Sequence, residues 1–198
     1  MDGNANDKSG TYNGTASNVT YSQGYINDGG VFNGSNSTIS LPVSSYLQST
    51  GDKSYSIWFK TSVTSGNHSL FDDYGTGTGG INHHHYIQGS TGQLQFVTYR
   101  PSPTASVGTT SGLSLNDGNW HHLVVVSDNS NSQILVYIDD NVEITLTGLP
   151  AFTQGKTTGY LGSYNSGGNG YSWDGQFDQV RIFNKALSAS EVTTLYTE

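Results

Sequence analysis

Cysteine is absent from the 198 residues, which removes disulfides, thiolate metal sites and thiol nucleophiles together while leaving the compartment open. Basic side chains are scarce: 7 Lys and Arg stand against 15 Asp and Glu, for a net charge of -8, so no nucleic-acid partner is expected. No run of 18 apolar residues occurs, which excludes a helical membrane span, and the opening MDGNANDKSG has neither the basic nor the apolar region of a signal peptide. Glutamate is confined to Glu143, Glu191 and Glu198, far apart in the chain. The adjacent pairs Asp72-Asp73 and Asp139-Asp140 would point to opposite faces of a strand. No pair of carboxylates is therefore spaced for glycosidase chemistry. A G-x-S-x-G nucleophile elbow is missing as well.

What is abundant is Gly, at 26 residues, with Asn, Ser and Thr filling the intervals between short apolar runs. That is the composition of a turn-rich strand protein, and the length suits one domain, residues 1–198. Residues 31–41 and 53–61 alternate with period two, and in the second run Tyr55, Ile57 and Phe59 share the face expected to be buried, opposite Ser54, Ser56, Trp58 and Lys60. Further strands are expected at 67–73, 83–88, 93–99, 120–127, 132–139, 142–147, 157–162 and 175–184. Asp139-Asp140-Asn141 reads as a hairpin turn, because Asp and Asn tolerate left-handed backbone. One short helix is expected at 189–196, with Ser188 and Glu191 as a capping box and Leu187 stapled to Val192. Many strands closed by one terminal helix imply an antiparallel sandwich.

Five segments carry a resemblance: DGNANDKSGTYNGTA, GGVFNGSNSTISLP, Trp58, GNWHHLVVV and the closing FDQVRIFNKALSASEVTTLY. In this order and spacing they resemble the LamG-like (laminin G type 3) branch of the concanavalin A-like lectin/glucanase superfamily. The resemblance implies an all-β fold, a concanavalin A-like jelly-roll sandwich of two antiparallel sheets with one short C-terminal helix. It also implies a module of a larger protein, extracellular, on a cell surface or on a virion. Glucanases of that superfamily commonly use E-x-D-x-E on one strand, which is absent here, so no enzyme activity is expected.

Two kinds of site remain. The opening loop supplies the oxygen ligands Asp2, Asn4, Asn6, Asp7 and Asn13, and Asp178 is in phase with Val180 and Ile182, which would turn a carboxylate toward the core. Relatives in this family often hold a structural calcium where the opening loop meets the late strand, so the resemblance implies a Ca2+ site at Asp7, Asn13 and Asp178. The alternative is that Asp178 accepts backbone hydrogen bonds from that loop. His83 and His85 share a strand face, a spacing that can hold a transition metal, although no third ligand accompanies them.

The second site is aromatic. Tyr74, Tyr99, Tyr164, Tyr171 and Trp173 fall in expected loops or at strand ends, together with Asp72, Asp73, Asn82, Arg100, Asn165 and Asn169. Aromatic faces against sugar C–H surfaces, with amide and carboxylate hydrogen bonds, are the means by which glycans are recognised. The expected function is a non-catalytic glycan-binding or adhesion module of a bacterial surface or phage receptor-binding protein. The alternative is a structural module contacting a protein partner or neighbours in the parent chain, such as a virion decoration domain.

Overall fold

A computed structural model of the chain describes residues 2–42, 51–72, 82–99, 105–150, 159–164 and 171–198. In chain order the strands are β1 (Thr15–Ser17), β2 (Thr20–Gln23), β3 (Asp28–Asn33), β4 (Thr38–Leu41), β5 (Lys53–Lys60), β6 (Asn67–Asp72) and β7 (Asn82–Gln88). They continue as β8 (Leu94–Tyr99), β9 (Ala105–Thr109), β10 (Trp120–Asp128), β11 (Gln133–Ile138), β12 (Asn141–Leu146), β13 (Gly159–Leu161) and β14 (Asp174–Phe183), and α1 (Ala189–Thr197) closes the chain.

The strands form two 7-stranded sheets, one ordered β1-β4-β13-β6-β7-β8-β9 and the other β12-β11-β10-β5-β14-β3-β2. All their pairings are antiparallel. Between the sheets lies the expected core: Tyr55, Ile57 and Phe59 of β5 pack with Leu70, Phe96, Leu123, Val136 and Phe177. The period-two pattern places them there because alternate side chains of a strand leave opposite faces.

The single strand expected over 31–41 is two strands in different sheets. Asn33 breaks it: its Oδ1 accepts the N–H groups of Ser35 and Asn36 at 3.0 Å and of Ser37 at 3.3 Å, while Gly34 takes φ 72°. The chain thereby crosses from one layer to the other.

The Asp139-Asp140 turn has the expected left-handed backbone, φ 49° and 68°, and joins β11 to β12. At α1, Glu191 accepts the Ser188 backbone N–H at 2.9 Å, and Leu187 and Val192 are buried in one cluster with Val124, Val126 and Tyr137. The helix therefore lies on the outer face of the second sheet.

Candidate functional site

The two outer faces differ in what covers them. On the second sheet, beside α1, Trp58 stacks on Tyr25 with ring centroids 3.6 Å apart, on His122 at 4.8 Å and on Tyr196 at 5.7 Å. Packing between elements uses these rings, and Trp58 is 5% exposed.

Asp178 belongs to this covered face and does not point to the core. A bulge between Asp178 and Arg181, with Gln179 at φ 44°, reverses the phase of β14, so that Asp178 pairs with Trp58 on the outer face while Val180 and Ile182 pack on the core side. Its carboxylate, fully buried, accepts the Ile26 N–H at 2.8 Å and the Gln179 N–H at 2.7 Å. Those donors come from the β2–β3 hairpin loop and from β14 itself, in place of the opening loop.

Asp7 and Asn13 organise the opening loop. Asn13 Oδ1 accepts the Asp7 N–H at 2.9 Å, and Asp7 Oδ2 accepts from the Ser9 hydroxyl and, at 3.3 Å, from the Tyr12 N–H. The Ser9 hydrogen bond holds the Asp7 carboxyl below the usual carboxylate range. Among the described residues, no group of three or more His, Cys, Asp or Glu side chains gathers as a metal cluster.

His83 and His85 do share a face, and it is the core face, with both rings at most 1% exposed. His85 Nδ1 donates to the Phe71 carbonyl at 3.0 Å, which leaves Nε2 to accept from the Tyr55 hydroxyl. His85 is thus hydrogen-bonded within the core, and both rings pack against Phe96.

On the first sheet, cross-strand register assembles a row on the outer face: Ser40, Tyr160, Asp72, His84, Val97 and Val107 are successive partners. Beside it runs Ser69, Tyr86, Gln95 and Thr109. Tyr164 and Tyr171 lie over the middle of this face, with ring centroids 4.6 and 5.1 Å from His84 and 5.5 Å from each other. Tyr86 adds a fourth ring, 4.8 Å from His84 and 5.4 Å from Tyr171.

Two hydrogen bonds hold Tyr171 there: its carbonyl accepts the Ser69 N–H at 2.9 Å, and the neighbouring Ser172 hydroxyl donates to the Ser35 carbonyl at 2.7 Å. Burial pushes the His84 imidazole down to about 4, so it is neutral near pH 7. None of the first sheet's seven strands contains Lys or Arg, and Asp72 is their only carboxylate.

Of the residues singled out from sequence, Asp72, Tyr164 and Tyr171 are therefore brought together. Trp173 is not: it is fully buried, stacked on Phe177 at 4.6 Å and edge-on to Phe59 at 5.9 Å, so it anchors the loop and presents no face to a ligand. Tyr99 ends β8, its backbone paired with Asn82 and Ala105. Asp73, Tyr74, Arg100, Asn165 and Asn169 lie outside the described residues. Sequence reasoning missed His84, Tyr86 and Tyr160. Period two carried the signal for the first two, since a strand that turns His83, His85 and Ile87 inward turns His84 and Tyr86 outward.

Two stacked antiparallel sheets with one helix on an outer face define a concanavalin A-like jelly-roll sandwich. The chain belongs to the laminin G type 3 family of the concanavalin A-like lectin/glucanases superfamily, whose sequence profile matches residues 33–193. No curated protein matches it. Among solved structures it is similar to domain 4 of AbnA, a GH43 extracellular arabinanase from Geobacillus stearothermophilus, in complex with arabinotriose. The TM-score is 0.78 at 25% identity, over 98% of this chain and 93% of that one. The native heptameric SAP-like pentraxin from Limulus polyphemus shares the fold at TM-score 0.64 and 15% identity, over 84% of this chain and 80% of that one. The binding domain of botulinum neurotoxin DC, in complex with rat synaptotagmin II, does so at 0.73 and 13%, over 97% of this chain and 49% of that one. A binding-type domain of lectin-like fold is the class these likenesses support.

Proposed function

We propose that this chain is a non-catalytic carbohydrate-binding module that presents saccharides to the outer face of the first sheet. The observation that carries the reading is the ring cluster of His84, Tyr86, Tyr164 and Tyr171 on the face that α1 leaves free. Partly exposed tyrosines over a sheet supply flat apolar surface with polar rims, the chemistry that stacks on sugar C–H faces. Similarity to an arabinanase domain solved with arabinotriose adds support and points to an extracellular setting.

The absence of catalysis is part of the proposal. Glycoside hydrolysis needs a second carboxylate roughly 5–10 Å from the first, and Asp72 is the only one in the strands of this sheet. Replacing Tyr171 or Tyr164 by Ala is expected to weaken oligosaccharide binding ~10-fold or more while leaving the melting temperature nearly unchanged. Isothermal titration against a panel of plant and bacterial oligosaccharides measures it. Wild-type protein that binds no glycan but self-associates would replace this reading with that of a protein-contact module.

A structural calcium held by the opening loop is a separate proposal. Asp7 and Asn13 offer the hard oxygen donors calcium prefers, whereas both Asp178 oxygens already accept N–H groups.

A further inference from the structure

The β2–β3 hairpin loop is fixed from beneath by the buried Asp178 carboxylate, which accepts the Ile26 N–H at 2.8 Å. Within the loop the Gly24 N–H donates to the Asn27 carbonyl at 2.7 Å, and Asn27 turns the chain at φ 57°. Tyr25 is the side chain that this loop carries to the surface. Its ring lies flat on Trp58, with centroids 3.6 Å and planes 11° apart, and the residue is still 38% exposed. Trp58 thus backs one side of the ring, while the rest of it meets solvent. Such a ring is already in place before any ligand arrives, so little ordering would oppose binding.

Trp120 stands beside Tyr25, with centroids 6.1 Å apart and planes at 66°, so the two rings form a corner. Tyr196 of α1, stacked on Trp58 at 5.7 Å, bounds the corner on the helix side. Strand register sets Lys60 between Trp120 and Gln176, all three half-buried, two residues along β5 from Trp58 and on the same outer face. Gln176 Nε2 donates to Ser22 Oγ and to the Gln23 carbonyl, each at 3.2 Å, which holds the amide in position. Rings of this kind pack on sugar C–H faces, while an ammonium donates to sugar hydroxyls and an amide oxygen accepts from them.

We infer that the Tyr25–Trp120 corner on the outer face of the second sheet is a second saccharide-binding site, in which a sugar ring stacks on Tyr25 and its hydroxyls meet Lys60 and Gln176. This rests on the carbohydrate-binding reading above and makes the module two-sided, with one site on each outer face.

The test is titration of the whole chain with arabinotriose, xylotriose and cellotriose, followed by calorimetry and by tryptophan fluorescence. Wild type is compared with Tyr25→Ala, Lys60→Ala, Gln176→Ala and Tyr171→Ala, with thermal melts as the control for folding. Fluorescence separates the two faces: Trp58 and Trp120 lie at the corner, Trp173 is in the core, and the cluster over His84 consists of His and Tyr. A bound trisaccharide is expected to change tryptophan emission in wild type and equally in Tyr171→Ala. Tyr25→Ala is expected to weaken that binding ~10-fold. Lys60→Ala and Gln176→Ala keep both rings, are expected to lose several-fold each, and carry the test if Tyr25→Ala does not fold. Binding that is lost in Tyr171→Ala but unchanged in Tyr25→Ala, Lys60→Ala and Gln176→Ala overturns the inference and leaves the first-sheet site standing. Binding that is lost in Tyr25→Ala and kept in Tyr171→Ala supports it and moves the module's site to the second sheet. Wild-type protein that binds no saccharide defeats the proposed function, and the inference with it.

Discussion

Ser172 separates two aromatic residues whose side chains leave the backbone on opposite sides. Tyr171 turns outward onto His84, while Trp173 turns inward onto Phe59 and Phe177. Sequence places both in one loop and shows two equivalent sugar platforms; alternation in an extended segment makes one of them core. Trp173→Ala is therefore expected to cost about 3–5 kcal/mol in a denaturant or thermal melt, in the range of large-to-small aromatic core substitutions. Saccharide affinity of the fraction that remains folded should change little. A Trp173→Ala protein as stable as wild type would contradict the packing described for that ring. The neighbouring Gly162, whose carbonyl accepts the Trp173 N–H, shows the same tightness: at φ 79°, a Cβ there would lie 2.5 Å from the Phe32 ring, so the position has no room for a side chain.

At the scale of elements, the long, strongly alternating strands were legible and the short edge strands were not. β5, β7, β10 and β11 follow the expected runs closely. β1, β2 and β9 were missed because TAS and TYSQ carry no apolar alternation and ASVGT only the single step from Ala105 to Val107, and edge strands with one neighbour need little more. The bulge in β14 was equally invisible. Nothing in FDQVRIF announces that Gln179 adopts positive φ, and one unpaired residue suffices to move Asp178 from the core face to the outer face. There the carboxylate fastens the β2–β3 hairpin loop, so tightly that a Cβ on Gly24 would lie 2.6 Å from Asp178 Oδ2. Asp178→Ala leaves the Ile26 and Gln179 N–H groups without their acceptor and is expected to destabilise by about 1–3 kcal/mol. Melts in calcium and in chelator separate the two accounts of this residue. Equal loss in both is expected from the hydrogen-bonded geometry, whereas a loss confined to calcium would make Asp178 a ligand.

At the scale of the whole molecule, stability against acid is set by histidines in both sheets. Burial pushes His84 and His122 from 6.5 to about 4, since the folded protein disfavours their charged forms. As pH falls from 6.5 toward 4 the unfolded chain binds protons that the folded one does not, so stability drops by about 1.4 kcal/mol per pH unit for each of the two. His121 has the opposite sign. The bond from its Nδ1 to Asp139 raises it, so its contribution is fully present below 6.5 and is lost as pH rises through the raised value. Urea midpoints measured between pH 7 and 4 should therefore fall steadily, and His84→Phe should roughly halve that slope. A flat profile in the wild type would show that the two rings are not held neutral.

The period-two strands, the inward set at Tyr55, Ile57 and Phe59, the Asp139-Asp140 turn and the capped terminal helix can be read from the chain, because each depends on residues close together in it. Which aromatic residues remain available follows from how the sheets and the helix pack. Trp58 is covered by Tyr25 and Tyr196 where α1 and the β2–β3 loop meet on one sheet, although Tyr25 itself stays 38% exposed. Tyr86, Tyr164 and Tyr171 gather over His84 on the other sheet, which no helix covers among the described residues. Rings of one chemical kind differ in availability only through partners distant in sequence, and such partners become neighbours only when the two sheets close.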